Sequence, residues 1–323
     1  MQRPSRPILA IAGSAGFLAI SLMAAGCARE PEPPDFVVGA NLPWRNYGHD
    51  FGRAWSHDGV GTPAARAQLD SDLFAIEGAH VVRWFLFGDG RALDRSDPEL
   101  VWSDLDAALE LADAHGVQVM PVLFDFYWFD SALDVDGVQV YGRRDLAVGP
   151  GRQALIETWI EPLADRYGRD RRIFAFDLIN EPEWAIEEAY PFMGEPVAYA
   201  EMRAFVEAVA DPLRGTRPLT LGSATWLDAV DFWADLELDY LQVHHYGAEP
   251  LPDALELGVE VPVLVGELAS TGGDLRDRVQ GYADLGYAGA LPWSLNGQDE
   301  ATDREAVIGL FAEGPLPTTP AAR

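Results

Sequence analysis

The sequence predicts a (β/α)8 barrel, also called a TIM barrel, that forms a single domain. Short apolar or β-branched runs alternate with amphipathic stretches of helical spacing, which is the pattern of a parallel sheet covered by helices. Eight such cycles fit in the 323 residues, and eight right-handed crossovers close most naturally into a barrel. The alternative, an open doubly wound sheet, is disfavoured because LPWRNYGHDFG follows the first run in place of a glycine-rich dinucleotide-binding turn.

The eight predicted strands alternate with stretches that can form helices. They span residues 36–41, 80–86, 117–124, 173–180, 219–223, 240–246, 261–267 and 289–294. Between them, apolar residues recur at helical spacing, as in Val101, Leu105, Ala108 and Ala112. We expect these apolar stripes to pack against the outside of the sheet.

The N-terminal residues 1–26 have the order of a secretory signal peptide: two arginines, an apolar run over 8–25, and small residues directly before Cys27. Small residues before a lone cysteine resemble a bacterial lipoprotein signal, in which the cysteine is lipidated. An uncleaved membrane anchor is the alternative, because the run is about as long as a short spanning helix. We therefore predict an exported lipoprotein at the cell surface or in the periplasm, with a proline-rich tether at 27–35 and the folded domain at 36–323.

The charge composition narrows the class of partner. All 23 lysine-or-arginine positions are arginine, and the net charge is −29. The lack of lysine excludes Schiff-base chemistry and the lysine of a phosphate-binding loop. A strongly acidic surface repels nucleic acid and other polyanions. We expect a neutral partner, no nucleic acid, no cofactor, a monomeric protein, and contact with a membrane only through the lipid on Cys27.

Polar side chains stand at the ends of the predicted strands. They are Asn41, Arg83, Asp125, Asn180 with Glu181, His244 with Tyr246, Glu267, and Trp293. A barrel core has no need for this set, because each buried polar group costs about 1–3 kcal/mol unless it finds a partner. Active sites of barrels lie at the carboxyl ends of the strands. The sequence therefore predicts an active site built from these residues.

Two of these residues, Glu181 and Glu267, form a candidate catalytic pair. They follow the fourth and seventh predicted strands, which lie across the barrel mouth from each other. Two carboxyl groups on opposite sides of a sugar ring are the requirement for cleavage of a glycosidic bond.

The motifs LINEP, VHHY, VLVGE and LPWS together resemble glycoside hydrolase clan A, most nearly the cellulase-like family 5. The resemblance covers residues 36–295. It implies a retaining β-glycoside hydrolase in which Glu181 is the acid/base and Glu267 is the nucleophile. It also implies a neutral β-linked oligosaccharide or polysaccharide as the substrate, of mannan or glucan type.

Three alternatives remain beside this interpretation. A transglycosylase would use the same two carboxylates, whereas a lipid-anchored glycan-binding protein without activity would have lost one of them. A metal-dependent barrel hydrolase would carry a His-x-His motif at the first strand, which the sequence lacks. Because His244 and His245 have no third ligand nearby in the sequence, we predict no metal site.

The acid and nucleophile roles require different surroundings. Glu181 must hold a proton near neutral pH, so we expect a raised pKa, with Trp184 as apolar shielding. Glu267 must stay ionised. The family pattern places Arg83 next to the nucleophile, where a guanidinium would lower the pKa of Glu267.

The resemblance also assigns supporting roles. It implies that Asn180 hydrogen-bonds the sugar 2-hydroxyl and that Trp293 is the aromatic floor of the central subsite. On the sixth strand, alternation places His244 and Tyr246 on one face and His245 on the other. His244 would then contact the sugar or the acid, and Tyr246 would orient the nucleophile.

The remaining candidates for substrate binding are Asn41, Asp125, Trp44 and Trp184. Family 5 often has a histidine after the third strand, where this chain has Asp125 in the stretch FDFYWFD. The connection over 125–149 is long, and long loops are usually functional. Within it, LDVDG lacks the spacing of a calcium-binding loop and predicts a tight turn.

Overall fold

Eight parallel strands close into a barrel in the computed structural model, which describes residues 34–56, 58–94, 96–247 and 250–314. The strands of the described residues are β1 (Val37–Asn41), β2 (Val81–Phe85), β3 (Gln118–Val122), β4 (Leu133–Val135), β5 (Val138–Val140), β6 (Phe176–Asn180), β7 (Leu219–Ser223), β8 (Leu241–His245), β9 (Val263–Ala269) and β10 (Gly289–Trp293). The barrel order is β1-β10-β9-β8-β7-β6-β3-β2. The predicted (β/α)8 barrel is confirmed, and every barrel strand overlaps its predicted range.

Helices cover the outside of the barrel. They are α1 (Pro63–Ala75), α2 (Pro98–Ala114), α3 (Arg144–Ala147), α4 (Arg152–Leu155), α5 (Glu161–Tyr167), α6 (Tyr199–Ala210), α7 (Trp226–Asp228), α8 (Leu275–Asp284) and α9 (Arg304–Ala312). A π-helical turn over Ile156–Ile160 joins α4 to α5, and another over Ala229–Trp233 follows α7. Among the described residues we find no helix whose length and apolar character would suit a membrane span.

Several helices begin at an aspartate that caps the first turn. Asp97 accepts the N–H of Glu99 before α2, and Asp303 accepts the N–H of Ala306 before α9. Such caps satisfy N–H groups that have no partner within the helix and stabilise it by about 1 kcal/mol each. They help to fix where each helix starts after its loop.

The connection after β3 carries a small hairpin that is not part of the barrel. Strands β4 and β5 pair antiparallel, and Asp136 and Gly137 turn the chain with φ values of 50° and 76°. Two consecutive residues of positive φ are typical of a two-residue hairpin turn. The tight turn predicted for LDVDG is thus confirmed.

The barrel interior is layered. Near the amino ends of the strands it is apolar, with Val37, Val81 and Leu264 buried together. Near the carboxyl ends it is polar, with Arg83 and Asp177 fully buried. The barrel therefore presents its polar groups at the mouth, where barrel enzymes have their active sites.

The described residues belong to one compact unit that spans 33–323. The predicted signal peptide, Cys27 and most of the predicted tether lie outside the described residues.

Candidate active site

The guanidinium of Arg83 joins four strand ends at the barrel mouth. Nε donates a hydrogen bond to Oδ2 of Asp177 at 2.8 Å, and Nη2 donates to Oδ1 of Asn180 at 2.7 Å. Nη1 donates to Oε1 of Glu267 and to Oδ1 of Asn41. A planar guanidinium holds several acceptors in fixed directions, which an ammonium group does not. Strands β1, β2, β6 and β9 are thereby tied together.

Gly222, near the end of β7, allows these side chains to pack closely. A Cβ atom at this position would lie 2.8 Å from Nη2 of Arg83 and 2.9 Å from Nε2 of His244. The backbone N–H of Gly222 donates to Oδ1 of Asp177 at 3.0 Å. A residue with a side chain would therefore displace the groups that hold the site together.

Glu181 follows β6 in a left-handed backbone conformation, with φ at 44°. For a residue other than glycine this conformation costs about 1–3 kcal/mol, and such residues cluster at functional sites. Its backbone N–H donates to the carbonyl of Gly222 at 2.6 Å. One carboxylate oxygen lies 2.7 Å from Nδ1 of His244, and the other accepts from Nε1 of Trp184 at 3.0 Å.

Glu267 lies within β9 and is 4% exposed. Its Oε1 accepts from Arg83, and its Oε2 accepts from the hydroxyl of Tyr246 at 2.6 Å. Nδ1 of His244 is 3.5 Å from Oε2. One nitrogen or oxygen atom from each of Glu181, His244 and Glu267 lies within 4.8 Å of the other two. The two glutamates therefore face each other across a short gap.

The electrostatics of the pair differ from the sequence prediction. Burial raises the pKa of Glu181, but the hydrogen bond and charge of His244 outweigh it and leave the pKa below its ordinary value. Burial raises the pKa of Glu267 above its ordinary value, although His244 and Arg83 act against the rise. The predicted directions are wrong for both groups, because His244 lowers the pKa of Glu181 by more than burial raises it, and because burial outweighs the opposing charges at Glu267.

His244 and Glu181 are close enough to share a proton, with Nδ1 of His244 2.7 Å from Oε1 of Glu181. Burial lowers the pKa of His244, but the charges of Glu267 and Glu181 raise it further, so the net pKa lies above its ordinary value. A protonated imidazole beside a carboxylate contains the same number of protons as a neutral imidazole beside a carboxylic acid. Since the two groups are 2.7 Å apart, the proton can be delivered from the side of Glu181.

The alternation predicted for the sixth strand is seen in the contacts of β8. His244 and Tyr246 both reach the glutamates, as described above. His245 points to the other side, where its Nδ1 lies 2.7 Å from the hydroxyl of Tyr282 on α8. The two adjacent histidines therefore have different surroundings.

A cleft of roughly 540 Å³ opens above the two glutamates. Its lining includes Trp44, Tyr47, Phe85, Asp125, Phe126, Tyr127, Tyr141, Asn180, Glu181, Trp184, Tyr246, Glu267, Trp293, Asp299, Glu300 and Ala301. A second hollow of roughly 310 Å³ continues on the side of Glu181, between Phe126, Tyr127, Trp184 and Phe192. Aromatic rings thus flank the carboxylates on both sides.

Trp293, at the end of β10, forms one wall of the cleft. Its Nε1 donates to Oδ2 of Asp299 at 2.8 Å, and its ring lies edge-on to Trp44 with the centroids 5.9 Å apart. The hydrogen bond fixes the indole while part of the ring stays accessible. Trp293 and Trp44 are therefore both placed where a molecule bound in the cleft can contact them.

The other predicted site residues divide into lining and supporting positions. Asp125, Asn180, Trp184 and Tyr246 line the cleft. Asn41 is fully buried, and its amide nitrogen donates to the carbonyls of Gly266 and Leu291, each at 2.9 Å. Asn41 therefore contacts the neighbouring strands and Arg83. The structure brings all the predicted strand-end residues to one end of the barrel.

Three acidic residues that hold other groups of this region in place were not predicted. Asp177 lies inside β6 and pairs with Arg83, Glu183 is buried directly behind Glu181, and Asp299 holds Trp293. The signal that could have indicated Asp177 is a single acid within the otherwise apolar run IFAFDLI. Glu183 had a weaker signal, a second glutamate two residues after the first in NEPEW.

Fold and site together define a (β/α)8 barrel with two facing glutamates in an aromatic cleft at the carboxyl ends of its strands. No family model matches the chain. Over 202 residues, the chain is 24% identical to mannan endo-1,4-β-mannosidase from Mytilus edulis, an alignment that covers 59% of this chain and 47% of that protein. The chain thus spans about half the length of the curated relative that it matches.

Solved structures match more of the chain. The β-mannanase of Mytilus edulis superposes with a TM-score of 0.70 at 20% identity, covering 86% of this chain and 92% of that chain. The β-1,4-mannanase of Aplysia kurodai also superposes with a TM-score of 0.70, at 18% identity, covering 87% and 95%. The chain therefore has the fold of these mannanases, in agreement with the resemblance in the strand-end motifs.

Proposed function

We propose that the protein is a retaining glycoside hydrolase that cleaves a neutral β-linked glycan, of mannan type first and of glucan type second. The observation that carries this proposal is the closeness of Glu181 and Glu267. One carboxylate oxygen of Glu181 lies within 4.8 Å of one carboxylate oxygen of Glu267. Retaining enzymes have carboxyl groups about 5–5.5 Å apart, whereas inverting enzymes need about 6.5–9.5 Å to admit a water. The short distance between the two carboxyl groups therefore favours a mechanism that retains the configuration at the anomeric carbon.

In the first step, Glu267 attacks the anomeric carbon and the glycosidic bond to the leaving oxygen breaks. Arg83 and Tyr246 hold the attacking carboxylate in place through their hydrogen bonds. Glu181 donates the proton that it shares with His244 to the leaving oxygen, so that a neutral alcohol departs. The product is a glycosyl ester of Glu267.

In the second step, Glu181 removes a proton from a water molecule, which attacks the anomeric carbon and releases Glu267. Both steps pass through a transition state with positive charge on the sugar ring. Asn180 is placed to assist, since Arg83 holds its amide oxygen and leaves the NH2 group to donate to a sugar hydroxyl. This contact is the one that the family resemblance assigns to the 2-hydroxyl.

The cleft supports a neutral polymer as the substrate. Aromatic rings on both sides of the glutamates suit the apolar faces of successive sugar units, and they extend past Glu181 to Phe192. Asp299 and Glu300 add negative charge along the lining, which repels carboxylated glycans. The relatives named above are mannanases, and a β-linked mannan fits such a cleft.

The proposal is tested with purified protein and a panel of β-mannans, β-glucans, xylans and matching aryl glycosides. We expect Glu267→Ala to abolish turnover, and added azide to restore it with formation of a glycosyl azide. We expect Glu181→Ala to lose about 10²–10⁴-fold on natural substrates while retaining activity on aryl glycosides with activated leaving groups. Glu110→Ala is the matched control, because Glu110 is exposed and pairs with Arg66 on the outer helices.

Other outcomes separate the alternatives. Full activity of both glutamate variants on mannan would refute the mechanism. Binding without turnover would indicate a glycan-binding protein, and transfer to an added sugar acceptor in place of water would indicate a transglycosylase. The spacing of Glu181, His244 and Glu267 also suits a metal ion; loss of activity with EDTA and its return with zinc would favour a metal-dependent hydrolase.

We further propose that the protein is exported and held at a membrane by lipid on Cys27, with residues 36–323 as the catalytic domain. The order of the N-terminal sequence supports this proposal. Labelling with a radioactive fatty acid should mark the wild-type protein and not the Cys27→Ser variant. Equal labelling of both would refute lipidation at this cysteine.

A further inference from the structure

Glu183 is a buried carboxylate directly behind the candidate acid. Its side chain is fully buried, and it is absent from the lining of the cleft. Oε1 accepts hydrogen bonds from the hydroxyl of Ser223 and from Nε1 of Trp233, each at 2.5 Å. Oε2 accepts from the backbone N–H of Ala224 at 3.1 Å. Three donors from the end of β7 and from the turn after α7 thus converge on one acidic side chain.

The position of Glu183 in the chain connects these donors to Glu181. Residues Pro182–Ala185 form a single 3-10 turn after β6. In this turn Trp184 follows Glu183, and its indole N–H reaches back to Oε2 of Glu181 at 3.0 Å. The turn starts from the left-handed conformation of Glu181, which persists only when its surroundings fix it. The Glu183 side chain fixes the turn, because three donors outside the turn converge on its two oxygen atoms.

We propose that Glu183 is a positioning residue, which anchors the turn over Pro182–Ala185 to β7 and Trp233 and so holds Trp184 and Glu181 in the geometry of proton donation. The inference rests on the proposed glycosidase function. Glu183 does not touch the substrate; it acts through Trp184.

Replacement of Glu183 by glutamine tests this role, because a glutamine side chain cannot accept hydrogen bonds from all three donors. Burial raises the pKa of Glu183 to about 7, although the hydrogen bonds from Ser223, Trp233 and Ala224 act to lower it. A glutamine has nearly the same shape, but its NH2 group would face at least one N–H donor and could not accept from it. Glu183→Gln therefore loosens the anchor without opening a large cavity.

A positioning role and a purely structural role predict different kinetics. Protonation of the leaving oxygen is needed for a poor leaving group, such as a sugar or phenol, and is hardly needed for a dinitrophenolate. Misplacement of the acid should slow formation of the glycosyl ester only from the first kind of substrate, and kcat/KM reports this step because it covers the reaction up to the first irreversible bond cleavage. A general loss of folded protein should slow both kinds by the same factor.

The experiment compares Glu183→Gln with wild type on phenyl and 2,4-dinitrophenyl glycosides of the sugar that wild type accepts. We expect kcat/KM on the phenyl glycoside to fall about tenfold or more, part of the 10²–10⁴ that general acid catalysis contributes. We expect kcat/KM on the dinitrophenyl glycoside to stay within about threefold of wild type. Trp184→Phe, which deletes the indole donor to Glu181, should show the same pattern.

Asp104→Asn is the matched control for the loss of a buried carboxylate. Asp104 is fully buried on α2 and accepts from the backbone N–H groups of Gly52 and Gly61, each at 2.8 Å. Its replacement should change the two rates by equal factors. If Glu183→Gln does not fold, Trp233→Phe removes one of the three donors and should give a smaller effect in the same direction.

The outcomes separate this inference from the function on which it rests. Equal losses on both substrates in Glu183→Gln, or in Trp233→Phe if the former is unfolded, would overturn the positioning role. In that case wild type would still be an active hydrolase that depends on Glu267. A wild type without hydrolytic activity, or one unaffected by Glu267→Ala, would overturn the proposed function itself and the inference with it.

Discussion

Replacement of Arg83 by methionine removes the cation that holds the strand ends together. Arg83 and Asp177 have fully buried side chains, and that of Glu267 is 5% exposed. Breaking a buried ion pair by removing one partner costs about 3–5 kcal/mol, because the other charge stays buried and uncompensated. Here two carboxylates lose the same partner, so we expect a loss at the upper end of this range. That is a large part of the 5–15 kcal/mol by which a native protein is typically stable.

Arg83→Lys is the matched control, since it keeps the charge and loses the planar geometry. One ammonium group cannot reach Asp177, Glu267 and the amides of Asn41 and Asn180 together. We expect a smaller loss of about 1–3 kcal/mol, the cost of unsatisfied buried acceptors.

Urea unfolding followed by tryptophan fluorescence and circular dichroism measures both losses, provided that the slope with urea is unchanged. A loss below about 1 kcal/mol for Arg83→Met would refute the view that this guanidinium compensates the buried acids.

Three further predictions concern the cleft. The value of kcat/KM should fall at low pH as Glu267, with its raised pKa, takes up a proton, and at high pH as the pair of His244 and Glu181 loses its proton; a profile without both limbs contradicts these assignments. Tyr246→Phe removes a hydrogen bond that lowers the pKa of Glu267, so the acid limb should move to higher pH; an unmoved limb contradicts this. Burial and the charge of Glu181 raise the pKa of Asp125 well above its ordinary value. Asp125→Asn keeps a side chain of the same shape that can hydrogen-bond, so KM should stay within about threefold, whereas Asp125→Ala should raise KM about tenfold, by loss of roughly 1.4 kcal/mol of hydrogen bonding; equal KM values for the two variants would contradict a hydrogen bond from this side chain to the substrate.

Most of the fold was predictable because barrel strands have a simple signal. Each is a short apolar run buried on both sides, and a polar residue often marks where it ends, as Asn41 does for β1 and Asn180 for β6. The resemblance of the strand-end motifs to family 5 then indicated which of these polar residues lie together. On β8, the alternation of side chains between the two faces of a strand was enough to predict that His244 faces the glutamates and that His245 faces the outer helices.

Other features of the site depend on geometry that alternation does not describe. The register of β6 against β7 shifts between Asp177 and Asn180, and this irregularity turns both side chains toward Arg83 although they are three residues apart. Strict alternation would have placed them on opposite faces. The directions of the pKa shifts were wrong for a similar reason, because they depend on which atoms of Trp184 and His244 reach Glu181.

The network around Arg83 separates the parts of the molecule that can be altered from those that cannot. Both glutamates are fixed by groups on the strands or directly after them, whereas aromatic residues such as Phe126 and Phe192 stand in the connections that follow the strands, where Phe192 is 76% exposed. A library of variants confined to these loops would therefore change which sugar chains are accepted while the spacing of the carboxylates stays constant. For the engineering of new substrate ranges, the barrel supplies a constant reaction centre and the loops supply the variable surface.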